Sequence, residues 1–204
     1  MARIFVATSN KGKLRDFAAA AAHYSVEIEG IPNFADIPEV LEDCPTFETN
    51  AQKKAEHYSQ YAPGEYVLAD DSGLEVDALH GAPGIYSARY ASTPNHPNAT
   101  DAENNLKLLR EMENVPDDQR QARFVCAIAV AKQGQTVATF RGTASGVIQH
   151  EPRGNGGFGY DPLFYHAPIH KTFAELTPEE KATVSHRGQA FRKLLQWISN
   201  QELR

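Results

Sequence analysis

The fold is first indicated by the stretch Arg3-Ile4-Phe5-Val6-Ala7-Thr8-Ser9-Asn10-Lys11-Gly12-Lys13. The apolar residues at its start predict a buried strand, and the polar residues after Ala7 predict a turn. Apolar residues then recur at helical spacing from Leu14 to Ala22, so a helix follows the turn directly. A strand that leads through a short turn into a helix is typical of an α/β protein.

The rest of the chain continues this mixture of strands and helices. Predicted strands lie around Val26 and Ile28, at 66–69, at 123–132 and at 136–141, and further helices begin near Thr46, Ala102 and Thr177. The short strand 66–69 is expected to end in a turn formed by Asp70-Asp71-Ser72-Gly73. These elements predict a mixed α/β protein.

Composition narrows the class of protein. The 204 residues carry a formal charge of −6, with 41% hydrophobic and 23% charged residues, which favours one globular domain over residues 1–204. The mild acidity argues against direct nucleic-acid binding, and no apolar stretch approaches the length of a membrane span. The two cysteines, Cys44 and Cys126, are too few for a disulfide scaffold and favour a reducing, cytoplasmic compartment.

The turn Thr8–Lys13 is a candidate phosphate site. Backbone N–H groups at a helix N-terminus attract anions, and Lys11 and Lys13 add positive charge while Gly12 permits a close approach. The turn lacks the spacing of a Walker A loop. Read by itself, the segment favours a solvated loop between a strand and a helix.

The adjacent carboxylates Asp70 and Asp71 are a second candidate. At a strand terminus they could hold Mg²⁺ together with substrate phosphates, or orient and deprotonate a water molecule. The alternative is that they only initiate the turn that Gly73 completes.

Two further groups could contact a ligand. The glycines of the loop 154–161 allow close wrapping, Phe158 and Tyr160 offer aromatic faces for a nucleobase, and Asp161 offers an acceptor for a base N–H. Lys181 and the segment Ser185-His186-Arg187 supply donors suited to a carbonyl or a phosphate. The alternatives are a flexible loop with aromatic residues in the core and a solvated basic face.

Taken together, these segments resemble the inosine triphosphate pyrophosphatase family, above all its bacterial dITP/XTP branch. The matching stretches extend over nearly the whole chain: Ala7-Thr8-Ser9-Asn10-Lys11-Gly12-Lys13, Leu68-Ala69-Asp70-Asp71-Ser72-Gly73-Leu74, Gly81-Ala82-Pro83-Gly84-Ile85-Tyr86-Ser87-Ala88-Arg89-Tyr90, Gly156-Gly157-Phe158-Gly159-Tyr160-Asp161-Pro162, and Ala174-Glu175-Leu176 followed by Glu180-Lys181 and Ser185-His186-Arg187-Gly188.

The resemblance implies an α/β fold with a long central mixed sheet, helices and two lobes around a nucleotide-binding cleft. It implies a homodimeric, Mg²⁺-dependent enzyme that converts dITP, ITP or XTP to the monophosphate and pyrophosphate and so keeps deaminated purines out of DNA and RNA. Asp71 would be the proton acceptor and a metal ligand. The implied substrate contacts are Thr8, Ser9, Asn10, Lys11, Gly12, Lys13, Lys54, Ser72, Phe158, Gly159, Tyr160, Asp161, Lys181, His186 and Arg187.

The resemblance also suggests how the base is chosen. Hypoxanthine and xanthine carry a 6-oxo acceptor where adenine carries an amino donor, so donors from His186 or Arg187 would select against adenine. One position departs from the family. Members often carry a metal-binding Glu before the Asn-Ala of the second helix, whereas this chain has Thr49 there, next to Glu48.

Two other functions remain open at this stage. The first is a pyrophosphatase for ordinary or modified pyrimidine nucleotides. The second is a nucleotide-sensing or RNA-binding module that has lost turnover, against which the retention of Asp70, Asp71, Lys13 and Lys181 argues.

Overall fold

A computed structural model of the chain describes residues 2–21 and 26–201. Its strands and helices are, in chain order, β1 (Ala2–Val6), α1 (Lys11–Ala21), β2 (Val26–Gly30), α2 (Phe47–Ser59), β3 (Tyr66–Val76), α3 (Asp101–Glu111), β4 (Gln121–Lys132), β5 (Gln135–Ile148), β6 (Phe164–His166), β7 (Lys171–Thr172), α4 (Pro178–Val184) and α5 (His186–Gln201). Ala22, included in the predicted first helix, lies outside the described residues. Within those residues, no helix combines the length and the apolar character needed to cross a membrane.

Within the described residues, the strands form a seven-stranded sheet in the order β2-β1-β3-β4-β5-β6-β7. β1 pairs in parallel with β2 and with β3, so that Ile4 lies opposite Ile28 on one side and Tyr66 on the other. β6 pairs antiparallel with β5 and with β7. The predicted α/β class with a central mixed sheet is therefore confirmed.

The chain divides into two compact units. Unit 1 comprises Met1–Asp71, Cys126–Thr143 and Ala182–Arg204, and unit 2 comprises Ser72–Val125 and Ala144–Lys181. The expectation of a single domain over residues 1–204 stays a prediction.

The core of unit 1 forms between strands β1, β3 and β4 and helices α1 and α5. Ile4, Leu68 and Ile128 are fully buried strand residues of this core, and the rings of Phe17 on α1 and Phe191 on α5 lie 5.3 Å apart. Burial of such aliphatic and aromatic side chains supplies most of the favourable free energy of folding. It also holds the first turns of α1 and α5 close to Asp70, in the middle of β3.

Unit 2 has an aromatic core of its own. The ring of Phe164 lies 4.6 Å from that of Phe124 and 4.8 Å from that of Phe173, measured between centroids. Phe173 leads into Ala174, whose carbonyl accepts a hydrogen bond from the N–H of Gly156 at 2.9 Å. The glycine-rich loop is thus attached to the packed part of the unit.

Strand β3 corrects one prediction. The sequence Asp70-Asp71-Ser72-Gly73 does not form a turn but continues the strand to Val76. The continuation is possible because both carboxylates are buried against partners that compensate their charge, as described below. Strands β6 and β7 were not predicted, since elements of three and two residues are too short to show a period.

Candidate active site

The turn after β1 is closed by Asn10, the residue that precedes α1. Its Oδ1 accepts hydrogen bonds from the backbone N–H groups of Gly12 at 2.8 Å and Lys13 at 3.1 Å, and Thr8 Oγ1 accepts one from the N–H of Asn10 at 3.2 Å. Lys11, the first residue of α1, is exposed. Because Asn10 caps the helix, two of the backbone donors predicted to hold an anion are already used. Charged side chains must therefore supply more of any anion binding.

Asp70 and Asp71 are neighbours in β3, and the alternation of a strand sends their side chains to opposite faces. They are only 2% and 6% exposed. Asp70 contacts Lys13 and Arg187, whereas the side chain of Asp71 contacts Asn50 and Lys54. The structure thus distinguishes two carboxylates that are equivalent in the local sequence.

Asp71 is held from helix α2. Asn50 Nδ2 donates to Asp71 Oδ2 at 3.0 Å, and Lys54 Nζ lies 3.8 Å from Asp71 Oδ1. Burial raises the pKa of Asp71; Lys54 acts in the opposite direction, and the nearby negative charge of Glu42 adds to the rise. A carboxylate with a raised pKa is a stronger proton acceptor when it is ionised.

Lys54 is buried between two carboxylates. Its Nζ donates to Glu42 Oε1 at 2.5 Å in addition to its contact with Asp71. Burial by itself lowers the pKa of Lys54, but the charges of Asp71, Glu42 and Asp70 together raise it, so the side chain stays an ammonium ion. Asn50 and Lys54 are one helical turn apart and therefore lie on the same face of α2.

The capping residues of α2 fix where the helix begins and therefore which of its side chains share a face. Thr46 and Thr49 form a capping box in which Thr46 Oγ1 accepts from the N–H of Thr49 at 3.2 Å and Thr49 Oγ1 accepts from the N–H of Thr46 at 3.3 Å. Glu48 Oε1 instead accepts from Arg141 Nη1 at 2.5 Å on the surface. Neither Thr49 nor Glu48 is among the described residues that line the cavity of unit 1. Thr49, which stands where the family often has a glutamate, therefore contributes to the cap of the helix.

Arg187 contacts two carboxylates in the structure, and its predicted contact with a base carbonyl stays a prediction. It is 1% exposed, and its guanidinium connects two carboxylates, with Nη1 2.6 Å from Asp16 Oδ2 and Nη2 3.4 Å from Asp70 Oδ2. The other oxygen of Asp70, Oδ1, lies 3.0 Å from Lys13 Nζ. Burial lowers the pKa of Arg187, but Asp70 and the other nearby acidic groups outweigh it and raise the pKa.

Unit 1 contains a cavity of about 310 Å³ beside these groups. Predicted substrate contacts and one of the paired aspartates line it: Thr8, Ser9, Lys13, Lys54 and Asp70. Glu39 and Glu42 also line it, although the sequence analysis did not single them out. Both glutamates lie in the segment 31–45 before α2, which contains three prolines and shows no periodicity. Their nearness in sequence to Lys54 was the one feature that could have indicated a place in the site.

The donors around this cavity suit a magnesium ion. Mg²⁺ prefers oxygen ligands and commonly uses one or two carboxylates, water and substrate phosphates. Carboxylates of Glu39, Glu42 and Asp70 line the cavity, and Asp71 contacts Lys54 at its edge. No group of three His, Cys, Asp or Glu side chains within the described residues is arranged as a complete metal site. The residues fit the ion provided that phosphate oxygens supply further ligands.

In unit 2, Asp161 and Lys181 form a buried ion pair. Lys181 Nζ donates to Asp161 Oδ2 at 2.6 Å, and the same oxygen accepts the N–H of Phe158 at 2.9 Å. Lys181 Nζ also lies 4.8 Å from the centre of the Phe158 ring. Gly157 has φ +72, and a Cβ there would lie 2.1 Å from Asp161 Oδ2. The glycine is therefore required for the carboxylate to hold the loop.

The remaining candidates are placed as follows. Tyr160 is 4% exposed and its hydroxyl donates to the carbonyl of Ser87 at 2.8 Å, so it lies in the core, as the alternative interpretation of this loop expected. Gly159 has a positive φ of 61°. Ser72 is half-buried in β3, and His186 is buried as the first residue of α5.

Several known proteins are similar to this chain. Proteins named dITP/XTP pyrophosphatase from Geobacillus kaustophilus and Geobacter sulfurreducens are 50% and 51% identical, over 95% and 93% of this chain and 93% of each relative. A solved HAM1 protein from Coxiella burnetii has a TM-score of 0.84 and 38% identity, covering 98% of this chain and 100% of that one. The Ham1 protein of Staphylococcus aureus has a TM-score of 0.82 and 40% identity, covering 98% and 99%.

The family model described as the Ham1 family matches residues 4–197, which include parts of both units. The resemblance inferred from the five groups of motifs is thereby confirmed over nearly the whole chain. With one family model, close relatives and solved structures in agreement, the chain belongs to the Ham1 family.

Proposed function

We propose that this protein hydrolyses dITP, ITP and XTP to the nucleoside monophosphate and pyrophosphate. The observation that carries the proposal is the contact of buried Asp71 with Lys54 at a cavity that Lys13 also lines. The substrate class, a purine nucleoside triphosphate, follows the names of relatives that match more than nine-tenths of this chain.

Lys13 and Lys54 would bind the triphosphate. Each ammonium lies close to a carboxylate, Lys13 to Asp70 and Lys54 to Glu42, so a phosphate chain entering the cavity meets negative as well as positive charge. Glu39, Glu42 and Asp70, which line the cavity, would hold a divalent cation that offsets this repulsion. Bound Mg²⁺ would supply that neutralisation and would polarise the phosphoryl oxygens. The lysines would neutralise the charge that develops on the leaving pyrophosphate.

Asp71 would accept the proton of the attacking water. Asn50 occupies Oδ2 of the carboxylate, which fixes the orientation of the side chain and directs Oδ1 towards Lys54. Attack at the α-phosphorus breaks the bond to the bridging oxygen, and pyrophosphate leaves. Taking up a proton relieves the cost of a buried carboxylate charge, so the burial that raises the pKa of Asp71 favours this step.

Unit 2 would contribute to base binding. The half-buried Phe158 ring offers a surface for stacking. Lys181 lies beside the ring and could donate a hydrogen bond to a 6-oxo group of the base. The contacts of His186 and Arg187 with the base, which the resemblance implies, stay predictions. Discrimination against adenine would follow, since an amino group at position 6 cannot accept these hydrogen bonds.

The test is a panel of ITP, dITP, XTP, GTP, ATP and dCTP with Mg²⁺, in which the products are resolved by ion-exchange chromatography. We expect monophosphate and pyrophosphate from the first three nucleotides, far less turnover of the others, and a kcat that is about 10²–10⁴-fold lower with Asp71→Asn. Equal rates on ATP and ITP, or orthophosphate as the first product, would contradict the proposal.

The proposal includes a homodimer in the cytoplasm, as the family resemblance implies. Neither Cys44 nor Cys126 is part of a disulfide among the described residues. The proposed compartment rests on the small number of cysteines in the sequence. Sedimentation of the purified protein as a monomer at micromolar concentration would contradict the dimer.

A further inference from the structure

Two polar side chains of helix α3 hold one residue of the glycine-rich loop of unit 2. Asp101 Oδ2 accepts a hydrogen bond from the N–H of Gly159 at 2.6 Å, and Asn105 Nδ2 donates one to the carbonyl of Gly159 at 2.9 Å. Asp101 and Asn105 are one helical turn apart and therefore lie on the same face of α3. Both peptide groups of Gly159 are thus attached to a helix that supplies none of the predicted substrate contacts.

We propose that Asp101 and Asn105 are positioning residues that orient the Phe158 ring for stacking on the base of the nucleotide. The inference rests on the proposed function in that it takes Phe158 as the surface on which the base stacks. It gives the two side chains a role that acts through the loop and not through contact with the ligand.

The backbone on both sides of Phe158 is fixed by this arrangement. The N–H of Phe158 donates to Asp161 Oδ2 at 2.9 Å, and its carbonyl accepts from the N–H of Asp161 at 3.3 Å. The peptide group that joins Phe158 to Gly159 is planar, so the bond from the N–H of Gly159 to Asp101 fixes the same plane from its other edge. With both peptide groups held, the direction in which the ring leaves the backbone is determined.

Hydrogen bonds, and not packing, hold the loop at Gly159. Apart from its chain neighbours, no atom of the described residues lies within 4 Å of the position that a Cβ on Gly159 would take. Its φ is 61°, a conformation that glycine adopts without steric cost. A glycine without packing on that side has many alternative conformations, so the two bonds from α3 decide which one the loop adopts.

Helix α3 is itself firmly anchored within unit 2. A capping box at Thr100 fixes Asp101 as the first residue of the helix. Asn104, which is 2% exposed, accepts from the N–H of Ala91 at 2.7 Å and donates to the carbonyl of Ala88 at 3.2 Å. The helix can therefore serve as a fixed support for the loop.

Asn105 shows a second sign of this role. Its Oδ1 is buried and has no hydrogen-bond partner among the described residues. A buried acceptor without a partner is unfavourable, and an apolar side chain of the same branching, such as leucine, would avoid that cost. The donor that Asn105 directs to Gly159 explains why an asparagine stands there.

The experiment separates binding of the base from binding of the phosphates. Asn105→Leu removes the donor without a change of charge, and Asp101→Ala removes the acceptor. For each variant we expect titration calorimetry with Mg²⁺ to show about fivefold weaker binding of inosine monophosphate, the effect of one hydrogen bond on the choice between loop conformations. Binding of inorganic tripolyphosphate, which has no base, should be unchanged. The KM for ITP should rise by the same factor while kcat stays the same.

Two further variants serve as controls. Asp101→Asn keeps an oxygen that can accept from the N–H of Gly159, so it should bind inosine monophosphate nearly as well as the wild type. Asn98→Leu, the matched substitution at an exposed position before α3, should change none of these quantities. Urea unfolding measures the stability of each variant. A fall in stability together with equal losses for both ligands would indicate a general effect on the fold and would overturn the inference.

Phe158→Ala tests whether the effect passes through the ring. It should weaken the binding of inosine monophosphate by about 5-fold to 100-fold, the contribution of one stacked base. In the double variant of Phe158→Ala and Asn105→Leu, the second substitution should add nothing, because no ring is left to orient. Additive losses would show that Asn105 acts by another route and would overturn the inference.

The remaining outcomes separate the two proposals. Unchanged binding of inosine monophosphate by folded Asn105→Leu and Asp101→Ala would also overturn the positioning role. If the wild-type protein fails to turn over ITP while the binding results hold, the proposed function fails and the positioning role stands. If ITP is hydrolysed as proposed and both variants keep the wild-type KM, the positioning role fails and the proposed function stands.

Discussion

Asp71→Asn should abolish most of the turnover while leaving the fold at least as stable at pH 7. The substitution keeps the shape of the side chain and an oxygen that can accept from Asn50, which donates to Asp71 at 3.0 Å. It removes the proton acceptor. On the usual size of general-base catalysis we expect kcat to fall by about 10²–10⁴-fold, or roughly 3–5 kcal/mol in activation free energy.

The effect on stability follows from the pKa of Asp71, which burial raises. Since Asp71 binds its proton more tightly in the folded protein, the folded state loses stability as the pH rises from the usual carboxyl value of about 4 through the raised value. Asparagine has no proton to lose. The free energy of unfolding of the variant, relative to wild type, should therefore increase through that pH range and stay constant above it. The attraction between Asp71 and Lys54, which lie 3.8 Å apart, is lost in the variant and reduces this gain.

Two measurements check this expectation: kcat with saturating ITP and Mg²⁺, and urea unfolding at several pH values between 4 and 8. Asn50→Ala serves as a comparison, because it removes the hydrogen bond to Asp71 and keeps the charge. A variant Asp71→Asn that retains the wild-type kcat would refute the assignment of the base. A folded variant that is much less stable than wild type at pH 7 would refute the argument that burial dominates the environment of Asp71.

Three further predictions concern the neighbouring residues. Thr49→Glu should leave the Mg²⁺ concentration for half-maximal rate unchanged in an activity titration, since position 49 serves the helix cap and glutamate is equally suited to a capping box. Glu42→Gln should move the acidic limb of the pH profile of kcat to lower pH, because the charge of Glu42 helps to raise the pKa of Asp71; a shift to higher pH would contradict the reasoning. Gly157→Ala should lower the free energy of unfolding by more than the roughly 1–3 kcal/mol of backbone strain at a positive φ, because its Cβ meets a buried carboxylate oxygen at 2.1 Å. Gly159→Ala, with φ +61 and no atom within 4 Å of its Cβ, should show the strain alone in the same urea titration.

Local patterns in the sequence were sufficient for the class of fold and most of its elements. The apolar run before Thr8 and the helical spacing after Gly12 correspond to β1 and α1, and the helix expected to begin near Thr177 corresponds to α4. These signals depend on neighbours within one turn or one strand, where the chain itself fixes the distances. The motifs were likewise sufficient for the family, because their order along the chain is a property of the sequence.

The same local reasoning failed in β3, where it predicted a turn at Asp70-Asp71. Adjacent aspartates and a glycine favour a turn when they are solvated, but here lysine and arginine side chains from helices compensate the buried charges and the strand continues. The propensity of the segment was overruled by partners that are distant in the chain.

Tertiary structure alone assigned different partners to the two aspartates and placed Arg187 between carboxylates. Arg187 is 171 residues from Asp16 and 117 from Asp70, and no spacing rule connects positions so far apart. The sequence supplies the charges, whereas the packing of α1 and α5 on the sheet decides which of them meet. In a buried site that choice is decisive, because a guanidinium removed from water is stable only where carboxylates compensate its charge.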